Sequence, residues 1–320
     1  MPVDSPVRPF PMLTRPALRW ALRRWTRTGR KTGRLTRLVE KWGPRLAVGP
    51  LPTRLPNGCR LLCDLTDYVQ RQIYFKGLLA PVETYLFLQL LKPGMAVIDA
   101  GAHIGQYTLL AATAVGPGGA VHSFEPVPAT FARLSEHVRD NCPGNVTLVQ
   151  AALWSEDSTV NLGLSESAEA DGNSGAWSIA SASERHSDVR ARALALDNYV
   201  EQHRIARVDA IKFDIEGAEP FALKGARATL ARHHPVLLME VNRPRLVELG
   251  SSPSALWAEL HALGYRAFRI TPSPRSSGGV NDLESVPELG NFIFHYNDLP
   301  DSVTSGWTRR GPKRWACSGW

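Results

Sequence analysis

Residues 97–105, V-I-D-A-G-A-H-I-G, constrain the fold of this chain more than any other stretch. The apolar run 95–98 predicts a buried parallel strand. It stops at Asp99 in a small-residue turn that opens onto the helical spacing of Tyr107, Leu109 and Leu110. Gly101 and Gly105 carry no Cβ, so this turn can bend sharply, admit a ligand to the main chain and let the next helix pack on the strand. A second strand-like run, residues 120–124, ends in Glu125 and Pro126, with Glu125 twenty residues beyond Gly105. In a doubly wound fold an acid at that tip lies beside the first glycine turn, where its two oxygens can accept both hydroxyls of a ribose. The pair predicts an adenosine-bearing ligand.

The glycine spacing narrows the choice. A dinucleotide turn wants G-x-G-x-x-G, but counting from Gly101 puts His103 at the second glycine position and Gln106 at the third. Read instead as D-x-G-x-x-x-G, the stretch suits S-adenosylmethionine, which carries no phosphate, and Asp99 supplies negative charge near its ammonium and sulfonium. A purely structural glycine turn in another α/β protein is the competing reading.

The remaining pattern alternates strands and helices, which implies a parallel sheet. Residues 68–91 read as a helix broken at 77–81. Residues 146–149 read as a third strand, 208–213 as a fourth ending in Asp214-Ile215-Glu216-Gly217, and 235–239 as a fifth ending in Glu240-Val241-Asn242. Runs at 265–270 and 291–296 complete the set, the last expected at an antiparallel edge. Residues 154–207 interrupt the rhythm as a long polar, Gly- and Ser-rich insertion, either a lid or binding loop or a surface excursion.

Charge divides the chain. Residues 15–45 hold eleven Lys/Arg against the single acid Glu40, residues 301–320 hold four against Asp301, and residues 46–300 are left with a net charge of −6. This distribution argues against a nucleic-acid groove over the body and allows a basic tethering arm. Residues 1–14, with four prolines, are expected to be disordered. Leu18, Ala21, Leu22 and Trp25, then Leu35, Leu38, Val39 and Trp42, have amphipathic helical spacing, with Arg19, Arg23 and Arg27 expected on the opposite face. That face suits either a peripheral contact with an anionic membrane or acidic partner, or a solvated surface of a helix packed on the body. Proline-rich residues 49–56 read as a linker, so the expected organisation is an arm over 1–48, a main domain over 49–300 with a hairpin near 59–67, and a basic tail over 301–320. Cys59, Cys63, Cys142 and Cys317 make neither a disulfide framework nor a zinc set, which predicts reduced thiols and a cytoplasmic location. No stretch is long and apolar enough to span a membrane.

The runs D-A-G-A-H-I-G-Q-Y-T (99–108), F-E-P (124–126), N-V-T-L-V-Q-A-A-L (145–153) and I-K-F-D-I-E-G-A-E (211–219) together resemble the FkbM-type methyltransferases, a branch of the Rossmann-like S-adenosylmethionine enzymes, across roughly residues 50–300. The resemblance implies an α/β fold with a seven-stranded sheet of order 3-2-1-4-5-7-6, helices on both faces, and methylation of a hydroxyl on a sugar or secondary metabolite. It carries over Asp99, Gly101 and Gly105 as the cofactor turn, with His103 and Tyr107 beside them. Glu125 becomes the ribose acid next to Pro126, and Gln150 and Ala151 lie on the adenine side. The chain departs from the family at His103, where asparagine is frequent, and at Gln150, where related enzymes place an acid or asparagine.

Ligands of open α/β sheets bind beyond the carboxyl ends of the strands, which directs attention to Asp214, Glu216, Glu240 and Asn242. Asp214 is expected to take the acceptor proton or orient the acceptor hydroxyl, with Glu216 second. Mg²⁺ on the same acids is the less favoured reading, because strand-tip carboxylates more often cap a helix or pair with a lysine such as Lys212. Two other functions compete. One is a nucleic-acid methyltransferase using the basic arm, although Asp214-Ile215-Glu216-Gly217 lacks the D/N-P-P-Y/F pattern of amino-group enzymes. The other is a noncatalytic, membrane-recruited scaffold that keeps the fold.

Overall fold

A computed structural model of the chain describes residues 15–26, 32–141, 144–164, 172–179, 189–271, 277–283 and 288–304. The expectations for residues 1–14, Arg27, Cys142, Cys317 and most of the basic tail lie outside these residues, as do the side chains of Trp25 and Leu35.

Helices α1 (Arg15–Thr26) and α2 (Thr32–Trp42) lead into a hairpin of β1 (Leu51–Arg54) and β2 (Arg60–Cys63). Residues 51–54 are therefore a strand rather than part of a linker. Thr53 is buried and pairs with Leu61, and Pro52 stands within the same ladder opposite Leu62. Two helices follow, α3 (Tyr68–Lys76) and α4 (Pro81–Leu90). The break between them is the expected one: Gly77 caps α3 at φ 94°, and Pro81 stands in the first turn of α4, where its missing N–H costs nothing.

The main sheet is assembled from β3 (Ala96–Ala100), β4 (Ala120–Phe124) and β5 (Val146–Val149), then β10 (Ala210–Phe213), β11 (Val236–Asn242), β12 (Arg266–Ile270), β13 (Gly278–Val280) and β14 (Leu289–His295). Helices α5 (Gln106–Val115) and α6 (Pro128–Asn141) make the first crossovers. Later ones are α7 (Leu196–Gln202), α8 (Glu219–Lys224), α9 (Arg227–His233), α10 (Arg243–Glu248) and α11 (Pro253–Ala262), and α12 (Asp301–Thr304) closes the described chain. The strand order is β13-β12-β14-β11-β10-β3-β4-β5. Read in chain order this is the expected 3-2-1-4-5-7-6 arrangement, extended to eight strands by β13 at the edge.

The last strand, β14, is not the edge element anticipated from its position. It runs antiparallel between β11 and β12, and consecutive Phe292, Ile293 and Phe294 are all buried because both faces of an interior strand are covered. Strand β3, A-V-I-D-A, is likewise buried at every position.

The described residues of the insertion are folded. Strands β6 (Ala152–Leu153), β7 (Ser158–Gly163), β8 (Ser178–Ile179) and β9 (Val189–Leu194) form a second sheet in the order β6-β9-β7-β8, with Val160, Leu162, Ala191 and Ala193 in a small core of their own. The two N-terminal helices are docked on the body, with Leu22, Val39 and Leu46 joining the core that holds Ile73 and Phe75 of α3. Arg19 and Arg23 do not form the solvated basic face expected of them. Arg19 donates to the Leu46 carbonyl at 3.3 Å. Arg23 donates to Thr53 Oγ1 at 2.8 Å, and its guanidinium lies 4.7 Å from the Tyr74 ring centre. Long arginine stems can cover apolar surface while the head finds an acceptor.

Candidate active site

Strand β3 ends at Ala100, and the chain turns at Gly101 with φ 75°. The backbone here abuts the tip of β10 so closely that a Cβ at residue 101 would collide with the Asp214 carbonyl oxygen. Glycine is thus required on two counts, conformation and space. The amides of Gly101 and Ala102 both donate to the Phe124 carbonyl, at 3.0 and 2.9 Å, which fastens the glycine turn to the tip of β4.

Glu125 follows directly. Its Oε2 accepts the His103 amide at 2.9 Å and its Oε1 the Val127 amide at 3.0 Å, leaving each oxygen a further acceptor position. Burial pushes its carboxyl up to about 7; the two amides and Lys212 pull the other way. Gly105, at φ 97°, starts α5, and a Cβ there would meet the Leu134 side chain. Its bareness serves packing of α5 on α6, not contact with a ligand.

Lys212 is the hub beneath the turn. Its Nζ donates to the Gly101 carbonyl at 2.7 Å, stands 3.5 Å from both Asp99 Oδ1 and Asp214 Oδ2, and lies 5.1 Å from the Tyr107 ring centre. Burial alone would lower its pKa, but Asp214 and Asp99 outweigh it and hold the ammonium above its ordinary value. Asp99 is 1% exposed and accepts the Thr108 hydroxyl at 2.6 Å. It sits one layer below the ligand cleft, so its charge is turned to Lys212 and Thr108, contrary to the expected role as a counter-charge open to the ligand. Tyr107 is also a wall rather than a reagent. Burial raises its phenol, and its hydroxyl is tied to Thr84 Oγ1 at 3.1 Å.

The glycine turn, the β4 tip and the β10 and β11 tips all open onto one cleft of about 720 Å³. Pro126, Val127, Ala151 and Leu153 give it an apolar wall. Gln150 is exposed and outside that lining, because β5 ends before it and the chain enters β6 with Ala151 and Ala152 turned inward. Ala151 therefore lines the cleft, and Gln150, expected beside it on the adenine side, does not.

Asp214, Glu216 and Glu240 face the same cleft with carboxylate oxygens within 4.8 Å of one another, an arrangement that could hold a cation. Asn242 contributes less than anticipated, since its side-chain oxygen accepts the Arg245 amide at the start of α10. Glu216 has φ 53°, a left-handed conformation unusual for a side chain of its size and concentrated at functional turns. Burial raises Glu216 to about 8 and Glu240 to about 9, with the neighbouring acids adding to the effect. Glu219, the last acid of the run, is 2% exposed, raised by burial to about 7, and accepts the Ile215 amide at 3.2 Å. It holds the turn together and does not line the cleft.

The insertion returns over this opening. Asp67 caps α3 by accepting the Gln70 amide at 2.7 Å and uses its other oxygen to accept the Ser174 amide at 2.9 Å. The Gly172 carbonyl accepts the Tyr68 amide at 2.9 Å. His103 Nε2 lies 2.7 Å from Ser174 Oγ. Burial holds the His103 imidazole below its usual pKa in spite of Asp67, so the neutral ring acts as a hydrogen-bonding link between the ligand turn and the insertion. The sequence offered no signal for Asn291, which lines the cleft and donates to Glu83 Oε1 at 3.3 Å across 208 residues of chain.

Four buried acids with raised pKa values set the pH behaviour of the unliganded protein. Glu125, Glu216, Glu219 and Glu240 bind protons more tightly when folded than the ordinary 4.5, so their contribution is full below about 4.5 and is lost progressively as pH rises from there to about 7 to 9. The melting temperature is expected to fall as pH is raised across that window. A flat or rising profile would contradict the assigned burial.

A family model described as the methyltransferase FkbM domain matches residues 99–267, just over half of the chain and narrower than residues 50–300. The 31-O-demethyl-FK506 methyltransferase FkbM of Streptomyces tacrolimicus is 28% identical over 158 residues, covering 42% of this chain and 60% of that protein. Hexuronic acid methyltransferase AglP of Haloferax volcanii is 28% identical over 127 residues, covering 40% of this chain and 48% of that protein. The chain thus aligns with about half to three fifths of the length of these relatives. Among solved structures, methyltransferase FkbM from Methylobacillus flagellatus KT superposes with a TM-score of 0.41 at 17% identity, covering 72% of this chain and 55% of that one.

Proposed function

The chain belongs to the FkbM methyltransferase family, and from that premise we propose that it methylates a hydroxyl of a sugar or secondary metabolite with S-adenosylmethionine as donor. The reading is carried by one observation: Gly101, Glu125 and Asp214 open onto a single cleft. The residues present suit that donor. Glu125 keeps an acceptor position on each oxygen for the two ribose hydroxyls, the bare Gly101 turn admits a ligand to the main chain, and Pro126, Val127 and Ala151 offer an apolar wall for adenine. When bound, the donor supplies an electrophilic methyl group on a sulfonium.

The chain's own contribution is alignment and proton handling. Positioning an acceptor oxygen for in-line displacement is worth up to about 7–11 kcal/mol in well-oriented systems. Asp214, with its side chain 40% exposed and one oxygen held near Lys212, is placed to take the acceptor proton. Glu216 and Glu240, protonated near neutral pH, are placed to donate hydrogen bonds to further acceptor hydroxyls. Residues 172–179 cover the cleft and exclude water, within a catalytic domain spanning residues 49–300.

Relatives named for 31-O-demethyl-FK506 and for a hexuronic acid favour a small acceptor over nucleic acid. Lys212 stands 3.5 Å from Asp214 and supplies a cation next to the acid cluster, which favours proton transfer to Asp214 over activation by Mg²⁺. Asp214→Asn is accordingly expected to lower kcat by about 10²-fold or more while cofactor affinity holds, with wild-type turnover unchanged by EDTA. Mass-spectrometric profiling of polysaccharides and metabolites with and without the protein should reveal an acceptor gaining one methyl. Loss of activity on chelation, restored by Mg²⁺, would replace proton abstraction by Asp214 with metal activation at the same acids. Failure to bind the donor at all in calorimetry would leave the scaffold reading.

A further inference from the structure

We infer that the outer face of α1, α2 and the turn after them is a docking surface for an anionic phospholipid bilayer, distinct from the methyl-transfer cleft and independent of the reading given to it. Both helices bury their inner residues, Leu22 and Val39, in the core beneath α3, so the remaining stripes point outward. On α1 that stripe is Pro16, Ala17, Trp20, Ala21 and Arg24, all exposed and spaced as one helical face. On α2 it is Arg37, Leu38 and Lys41, continued by Pro44, Arg45 and Val48.

The composition of this surface sets it apart from the rest of the molecule. Three of the seven exposed large hydrophobic side chains among the described residues, Trp20 (66% exposed), Val48 (53%) and Leu38 (37%), lie here. They are interleaved with cations: the Arg24 guanidinium lies 5.7 Å from the Trp20 ring centre, and Lys41 Nζ and the Arg45 guanidinium lie 5.7 and 5.0 Å from that of Trp42. The one acid in residues 15–48, Glu40, is half-buried and acts on Lys76 of α3, where it works against the burial that lowers that lysine's pKa. The apolar faces of both helices are spent on the core, so the contact rests on clustered cations attracted to anionic headgroups, with the exposed Trp20 ring at the interfacial level. Nucleic acid fits less well, because the side chains between the cations are aliphatic and offer nothing to base edges. No described helix is long and apolar enough to cross a membrane, so the contact is peripheral. Residues 46–300 carry net negative charge, which turns the basic face toward the anionic surface and the body away from it.

The test is co-sedimentation of the full chain with phosphatidylcholine vesicles that do or do not contain phosphatidylglycerol, at low and high salt. Binding is expected only to the anionic vesicles and is expected to weaken with salt. The double variant Arg24→Glu, Lys41→Glu should weaken it by about fivefold or more for each cation removed. Trp20→Ala should weaken it several-fold while leaving the melting temperature unchanged, since that ring is solvent-facing. Equal binding to both vesicle types, no binding to the anionic ones at low salt, or wild-type affinity in either variant would overturn the assignment. So would binding to a DNA or RNA duplex with none to vesicles.

Discussion

Replacement of Lys212 by methionine is expected to cost about 3–5 kcal/mol of folding stability, the penalty for removing one partner of a buried ion pair. Methionine nearly matches the lysine stem in volume, so a cavity contributes little. What remains is Asp99, 1% exposed, inside a strand buried on every side, with Oδ1 left without a hydrogen-bond donor and its nearest cation gone. The Gly101 carbonyl would also lose its donor at 2.7 Å, which loosens the turn on which ligand binding depends. The denaturant midpoint should drop with an unchanged slope. Adding Asp99→Asn, which removes the stranded charge, should restore a large part of the loss. A single variant within about 1 kcal/mol of wild type would mean that Lys212 is not the counter-ion described.

Glu125→Ala is expected to weaken S-adenosylmethionine binding by about 10² to 10⁴. The carboxylate would accept two ribose hydroxyls, and hydrogen bonds to a charged group are worth about 1.5–3 kcal/mol each. The truncation also strips the His103 and Val127 amides of their acceptor, so the glycine turn keeps only its bonds to the Phe124 carbonyl at the β4 tip. Wild-type affinity should rise as pH is raised through about 7, because only the ionised form accepts both hydroxyls without competition from its own proton. Calorimetry across that range separates the two effects. An alanine variant that binds like wild type, or an affinity that falls with pH, would remove Glu125 from the donor site.

Gly101 and Glu125 were legible because each answers to a local rule: a bare turn after an apolar strand, and an acid at the next strand tip. Asp99 was not, since its role depends on a neighbour 113 residues away. The parallel register of β3 on β10 sets Lys212 directly opposite Asp99, and only the strand order brings them together. The strands of the insertion were legible only in part for a related reason. Strand β8 is two residues long, and the alternation of Val160 with Leu162 is submerged in polar sequence. The helical spacing of α1 was read correctly, but not the direction of its arginines, because periodicity treats a guanidinium as a solvent group while Thr53 and Tyr74 supply it with an acceptor and a ring.

Among the described residues, the segment around Ser174 is hydrogen-bonded to the body by Asp67, by the Tyr68 amide and by the His103 ring, and residues 173–179 line the cleft from the far side of those anchors. A transplanted segment that kept Gly172 and Ser174 at their anchors would redock over the same cleft, re-shaping its roof while the glycine turn beneath stayed as it is.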